Sequence, residues 1–121
     1  MTIYYVSDRR EANKADTMAT LRDLGFPQAK NKQVLLLDKD PKQVRREYIQ
    51  SKHTLVMQLG DNLHDFHADF APADWIQRQR LVKKYASHFG QDWIVLPNAS
   101  YGRWSTAKLR AWKKKEIVIG D

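Results

Sequence analysis

Three polar residues in this chain each stand beyond a short apolar run, and their types suit one kind of partner. Ser7 follows Ile3-Tyr4-Tyr5-Val6, Lys42 comes soon after Val34-Leu35-Leu36-Leu37, and Asp61 follows the apolar stretch that closes at Leu59-Gly60. A hydroxyl can donate to a phosphoryl oxygen, and an ammonium places a point charge beside it. A carboxylate at a strand end suits Mg²⁺, a hard cation that takes oxygen ligands and keeps several waters. The chemistry implied is the holding of a phosphate group, with a divalent cation nearby. Nucleophilic hydrolysis of the serine type is not legible, because no sequence pattern supplies Ser7 with a base. There is also no glycine-rich phosphate loop.

The apolar runs alternate with helical segments, which fixes how these residues are positioned. Residues 2–7 predict a buried strand, and 13–24 a helix with Met18, Leu21 and Leu24 along one side. Gly25 stops that helix ahead of Phe26-Pro27. Residues 34–37 form an uninterrupted apolar run, the pattern of a strand covered on both faces. Asp40 reads as a helix N-cap and Pro41 as the first helical residue. That helix extends to about 51, with Val44 and Tyr48 four apart as its apolar pair. A third strand over 54–59 leads into Gly60-Asp61 and a loop rich in Asp and His. The next helix opens at 73–74 with a stripe of Trp75, Val82, Ala86 and Phe89, and Gly90 ends it. Residues 93–96 are a fourth strand, 106–114 a short helix and 116–121 a fifth strand. This β-α-β order predicts one α/β domain over 1–121, with a mostly parallel sheet and helices on both faces. Ligands of such sheets bind beyond the carboxyl ends of the strands, so Ser7, Lys42 and Asp61 are expected to face one crevice.

Bulk properties narrow the partners. The 121 residues are 42% hydrophobic and 29% charged, as in an ordinary globular chain. There is no cysteine, which excludes disulfides and thiolate metal sites. No window approaches the roughly 20 apolar residues that span a bilayer. The apolar run at the start is too short for a signal peptide, so cytoplasmic residence is expected. The net charge of +7 suits an anionic partner or, equally, plain solubility. Six Lys or Arg and no acid lie between Arg103 and Lys115, the density of a phosphate-contacting face or of a solvated helix. No nucleic-acid recognition motif accompanies the charge.

In order and spacing, the motifs resemble those of the class C acid phosphatases of the haloacid-dehalogenase superfamily. They are Tyr5-Val6-Ser7-Asp8-Arg9-Arg10, Leu24-Gly25-Phe26-Pro27, Lys42-Gln43-Val44-Arg45, Gly60-Asp61-Asn62-Leu63-His64-Asp65-Phe66, Phe89-Gly90 and Leu96-Pro97-Asn98-Ala99-Ser100-Tyr101-Gly102-Arg103-Trp104. The resemblance extends to about Trp112 and implies an incomplete haloacid-dehalogenase-like Rossmannoid. It also implies that Ser7 hydrogen-bonds the phosphoryl group and Lys42 neutralises it. Asp61 then binds Mg²⁺, and Asp65 supports the metal shell. Relatives usually carry asparagine where this chain has Asp8, so an added negative charge is expected to weaken anion binding. Members also carry an earlier strand ending in Asp-x-Asp, whose first aspartate attacks phosphorus. Only Met1-Thr2 precedes the first strand here, which leaves no room for that motif. The missing strand lies at the sheet centre in the family, so its loss exposes two strand edges.

Two segments could fill the gap. Val34-Leu35-Leu36-Leu37-Asp38-Lys39-Asp40 mimics the missing motif, with Asp38 as nucleophile and Asp40 as acid and base, but its place between the serine and lysine motifs favours a strand end and a helix cap. Residues 116–121 could insert as a central strand, in their own or a partner subunit, and bring Asp121 near Asp61, or could form an edge strand or a disordered tail. Exposed edges could instead pair two copies into a homodimer. His64, Asp65, His67 and Asp69 have the spacing of a transition-metal site or of a polar loop. Trp75, Trp93, Trp104 and Trp112 read as packing residues, and Tyr101 with Trp104 could stack a base. Three expectations result: a degenerate phosphatase that keeps phosphate or Mg²⁺ binding, an assembly module, or a weakly active phosphomonoesterase rebuilt around Asp121, Asp38 or Asp8.

Overall fold

The computed structural model describes residues 1–98, which divide between two compact units, the first Met1–Leu55 and the second beginning at Val56. The helix expected over 106–114, the strand over 116–121, and Asp121, Tyr101, Trp104 and Trp112 lie outside the described residues. Among the described residues no helix is long and apolar enough to cross a membrane.

In the first unit β1 (Tyr5–Arg10) is followed by a 3-10 turn (Glu11–Asn13), α1 (Lys14–Asp23), β2 (Val34–Leu37) and α2 (Lys42–Gln50). The strands pair in parallel, Tyr5 with Val34, Val6 with Leu35 and Arg10 with Leu37. Between the last two pairs β1 advances four residues and β2 only two, so β1 bulges across Ser7, Asp8 and Arg9. Ser7 therefore sits within the strand, at the point where regular pairing stops, and not at its last residue. β2 buries Val34 and Leu36 and only half-buries Leu35 and Leu37.

The helices of this unit end and start much as the sequence signals, but turn unexpected sides inward. Gly25 takes φ 76° after α1, a left-handed turn that costs glycine nothing. Leu24 is exposed and Thr17 is the buried residue of α1. Pro41 occupies the cap position of α2 with extended backbone (φ −67°, ψ 165°), so the helix starts at Lys42 and Asp40 does not cap it. The apolar pair Val44 and Tyr48 is 42% and 47% exposed, while Arg45, Arg46 and Ile49 are buried.

The second unit holds β3 (Gln58–Gly60), 3-10 turns at Leu63–Asp65 and Ala68–Phe70, α3 (Trp75–Lys84) and β4 (Trp93–Val95). β3 and β4 run parallel, with Gln58, Leu59 and Gly60 opposite Trp93, Ile94 and Val95. The core is aromatic. Phe66, Phe70 and Trp93 are buried, and Leu63, Leu81, Tyr85 and Phe89 pack against them. Phe66 stacks on Trp93 at 5.4 Å between centroids, and Phe89 meets Trp93 edge-on at 5.5 Å. α3 opens with a reciprocal cap: Gln77 N–H donates to Asp74 Oδ1 at 2.8 Å, and Asp74 N–H to Gln77 Oε1 at 2.9 Å. It ends at Lys84, short of Phe89, and Trp75 and Val82 of the expected stripe are exposed. β3 is shorter than the run over 54–59, because β4 offers it three partners; Val56 and Met57 are left outside the ladder and exposed. Among the described residues β1 and β3 each have a strand on one edge only.

Candidate functional site

The bulge in β1 determines how Ser7 is presented. Its Oγ accepts the Arg9 N–H at 3.2 Å, which fixes the oxygen and leaves the hydroxyl proton undonated to any described residue. A bulge also leaves carbonyls without ladder partners, and buried carbonyls need them. Arg45 supplies one: its Nη1 donates to Ser7 O at 2.6 Å and to Leu35 O at 3.2 Å. Its Nη2 donates to Asp8 Oδ1 at 2.6 Å. The Asp8 charge expected to repel an anion is thus matched by a guanidinium. Sequence reasoning passed over Arg45. The signal was its place three residues after Lys42, on one side of a helix.

Lys42 is the first residue of α2 and is half-buried. One turn before Arg45, it stands at the end of the helix side that reaches the Ser7 carbonyl. The first turn of α2 adds the partial positive charge of its N–H groups. Asp38 lies just beyond β2 and Asp40 before α2; both are exposed, with none of the covering that would tune a catalytic carboxylate.

Asp61 and Asp65 occupy the loop after β3 and play different parts. Asp61 Oδ1 accepts from Asn62 Nδ2 at 3.1 Å, and Oδ2 from Asn98 Nδ2 at 3.2 Å. Both donors are neutral amides, which orient the carboxylate without cancelling its charge. Asp65 folds back over the strand end, where Oδ2 accepts the Asn62 N–H at 3.1 Å and the side chain is 12% exposed. A Cβ on Gly60 would lie 2.7 Å from Asp65 Cβ, so the glycine makes room for that carboxylate. The donor set suits Mg²⁺ with Asp61 as a protein ligand, Asp65 as the brace of its loop, and water or phosphate oxygens completing the shell. Among the described residues no three His, Cys, Asp or Glu gather as a cage, so the transition-metal pattern is not assembled. Asp69 instead accepts from the Tyr85 hydroxyl at 2.8 Å. That bond, with His67 and Lys84 nearby, holds its carboxyl below the ordinary range. Ser7 and Lys42 thus belong to the first unit, and Asp61 and Asp65 to the second.

Comparison with known proteins gives these residues a context. The family model for acid phosphatases of the haloacid-dehalogenase superfamily, subfamily IIIB, matches residues 1–104. A solved class C acid phosphatase from Bacillus anthracis is 34% identical, with a TM-score of 0.81 over 93% of this chain. A structure of the class C acid phosphatase from Bacillus anthracis with tungstate bound is 33% identical, also at a TM-score of 0.81. This chain spans about half the length of both, 50% and 51%.

Proposed function

The chain belongs to the acid phosphatase family of haloacid-dehalogenase subfamily IIIB, and from that membership we propose that it binds phosphate and Mg²⁺ without turning over phosphomonoesters by itself. The fold is α/β, consistent with an incomplete Rossmann-like domain of that superfamily. Ser7 and Lys42 hold the phosphate, the first as hydrogen-bond donor and the second as cation. Asp61 holds Mg²⁺, and Asp65 keeps its loop closed. When bound, the ion supplies positive charge to phosphoryl oxygens. The observation that carries this reading is that all four residues lie within the matched span, with Ser7 at a break in its ladder and Asp61 directly after β3.

Turnover by an aspartyl-phosphate route needs an attacking carboxylate beside the phosphorus. Among the described candidates, Asp38 and Asp40 are exposed and Asp8 is engaged by Arg45. A rebuilt, weakly active enzyme using Asp121, Asp38 or Asp8 is the outcome that detectable turnover would favour. A second reading is a self-assembling module, and exposed Val56, Met57 and Leu59 favour it, beside a β3 that among the described residues pairs on one edge only.

Thermal unfolding with added ligand tests the first reading. A ligand at ten times its Kd stabilises the folded form by about 1.4 kcal/mol, a shift of several degrees in a small protein. Phosphate is expected to raise the Tm of the wild type and of Asp61→Asn, and that of Ser7→Ala much less. Mg²⁺ is expected to raise the Tm of the wild type and of Ser7→Ala, but not of Asp61→Asn. Hydrolysis of p-nitrophenyl phosphate is expected to stay at the uncatalysed rate. Turnover that vanishes in Asp61→Asn would contradict the non-catalytic reading, and no shift with either ligand would contradict the binding one.

A further inference from the structure

We infer that Arg45 is the positioning residue for Ser7, with Asp8 as the anchor that holds the guanidinium in place; the inference rests on the reading of Ser7 as a phosphate donor. Within the bulge Ser7 has no register partner in the parallel ladder. One guanidinium nitrogen takes over, bridging Ser7 O at 2.6 Å and Leu35 O at 3.2 Å, so it ties the two strands together where their own pairing lapses. The Leu35 it reaches is the ladder partner of Val6, the residue before Ser7.

Three contacts then leave the serine little freedom. Its carbonyl is held by Arg45, its Oγ by the Arg9 N–H at 3.2 Å, and Arg45 in turn by Asp8 at 2.6 Å. What remains free is rotation of the hydroxyl proton, the one motion a donor to phosphate requires. A fork is needed because two donors must diverge, one toward strand carbonyls and one toward a carboxylate. A lysine, a single point donor, cannot span both. At 7% exposure the residue is covered, which keeps water from competing for the carbonyl. Asp8 has a positive role here: it neutralises and orients the arginine that aims its neighbour.

The test combines a double-mutant cycle with backbone resonances of the full chain, using inorganic phosphate as the probe. Arg45→Lys is expected to weaken phosphate binding about tenfold, the scale of a lost hydrogen bond involving a charged group. In a Ser7→Ala background the same change is expected to cost little more, because Arg45 acts through the serine. Full multiplication of the two losses would overturn the inference, since a merely structural arginine would act independently of Ser7. Without ligand, Arg45→Lys is expected to move the Ser7 carbonyl carbon and Arg9 amide resonances and to leave those of Trp93 in place. Unmoved Ser7 and Arg9 signals in a folded variant would also overturn it. Should Arg45→Lys fail to fold, Asp8→Asn is read the same way, with smaller movements in the same direction expected. A wild type that ignores phosphate would sink the binding reading alone, and the resonances would still decide whether Arg45 positions Ser7.

Discussion

Ser7 and Asp61 keep chemistry available by different local means. A bulge frees the serine proton, and two amides orient the aspartate without neutralising it. Their types and places were legible from the sequence, because a polar residue after an apolar run announces a strand end. What the sequence hid was the company they keep. Asp8 looked like an unpaired charge, and Arg45 like one cation among many, because pairing across 37 residues leaves no periodic trace. Asp69 shows the same thing, since its Tyr85 partner is distant in sequence. That hydrogen bond lowers the carboxyl pKa, so its stabilisation is full above the unfolded value of about 3.9 and is lost as the pH falls through the folded value. Tyr85→Phe should therefore lower the Tm at pH 7 by more than at pH 3. An equal loss at both values would show that the bond is not what Tyr85 contributes.

At the scale of elements, punctuation was readable and facing was not. Gly25 and Gly90, with φ 76° and 78°, close turns as their residue type predicts, and Asp74 caps α3. The inward side of α2 was misjudged, since Val44 and Tyr48 have core spacing yet face out. Arg45 takes the inner side because the Ser7 and Leu35 carbonyls need a donor more than they need apolar cover. The loop after β3 depends on a similar local requirement at Gly60. Gly60→Ala would drive a methyl into Asp65, displacing the carboxylate that accepts the Asn62 N–H. Its expected cost is about 1–3 kcal/mol by chemical unfolding, the range for a forced-in methyl. Gly60→Ala is also expected to weaken Mg²⁺ binding. Unchanged stability would mean the loop relaxes freely and Asp65 is no brace.

For the molecule as a whole, parallel ladders joined by helices were foreseeable from the alternation of apolar runs and helical segments. The division into two compact units was not, because a count of strands does not say which edges pair. Among the described residues β3 has one unpaired edge, and it carries a prediction at this scale. If it mediates assembly, the wild type sediments as a dimer and Leu59→Lys, at a side chain 63% exposed, shifts it to monomer with little loss of monomer stability. A wild type that is monomeric at high concentration removes the assembly reading and leaves the binding one intact.

The central claim is that this chain binds phosphate through Ser7, and calorimetric titration of inorganic phosphate into wild type and Ser7→Ala tests it most directly. The account predicts saturable binding by the wild type, weakened at least tenfold by removal of one hydroxyl that donates to a charged ligand. Equal affinity of the two proteins, or no heat of binding in either, would contradict it.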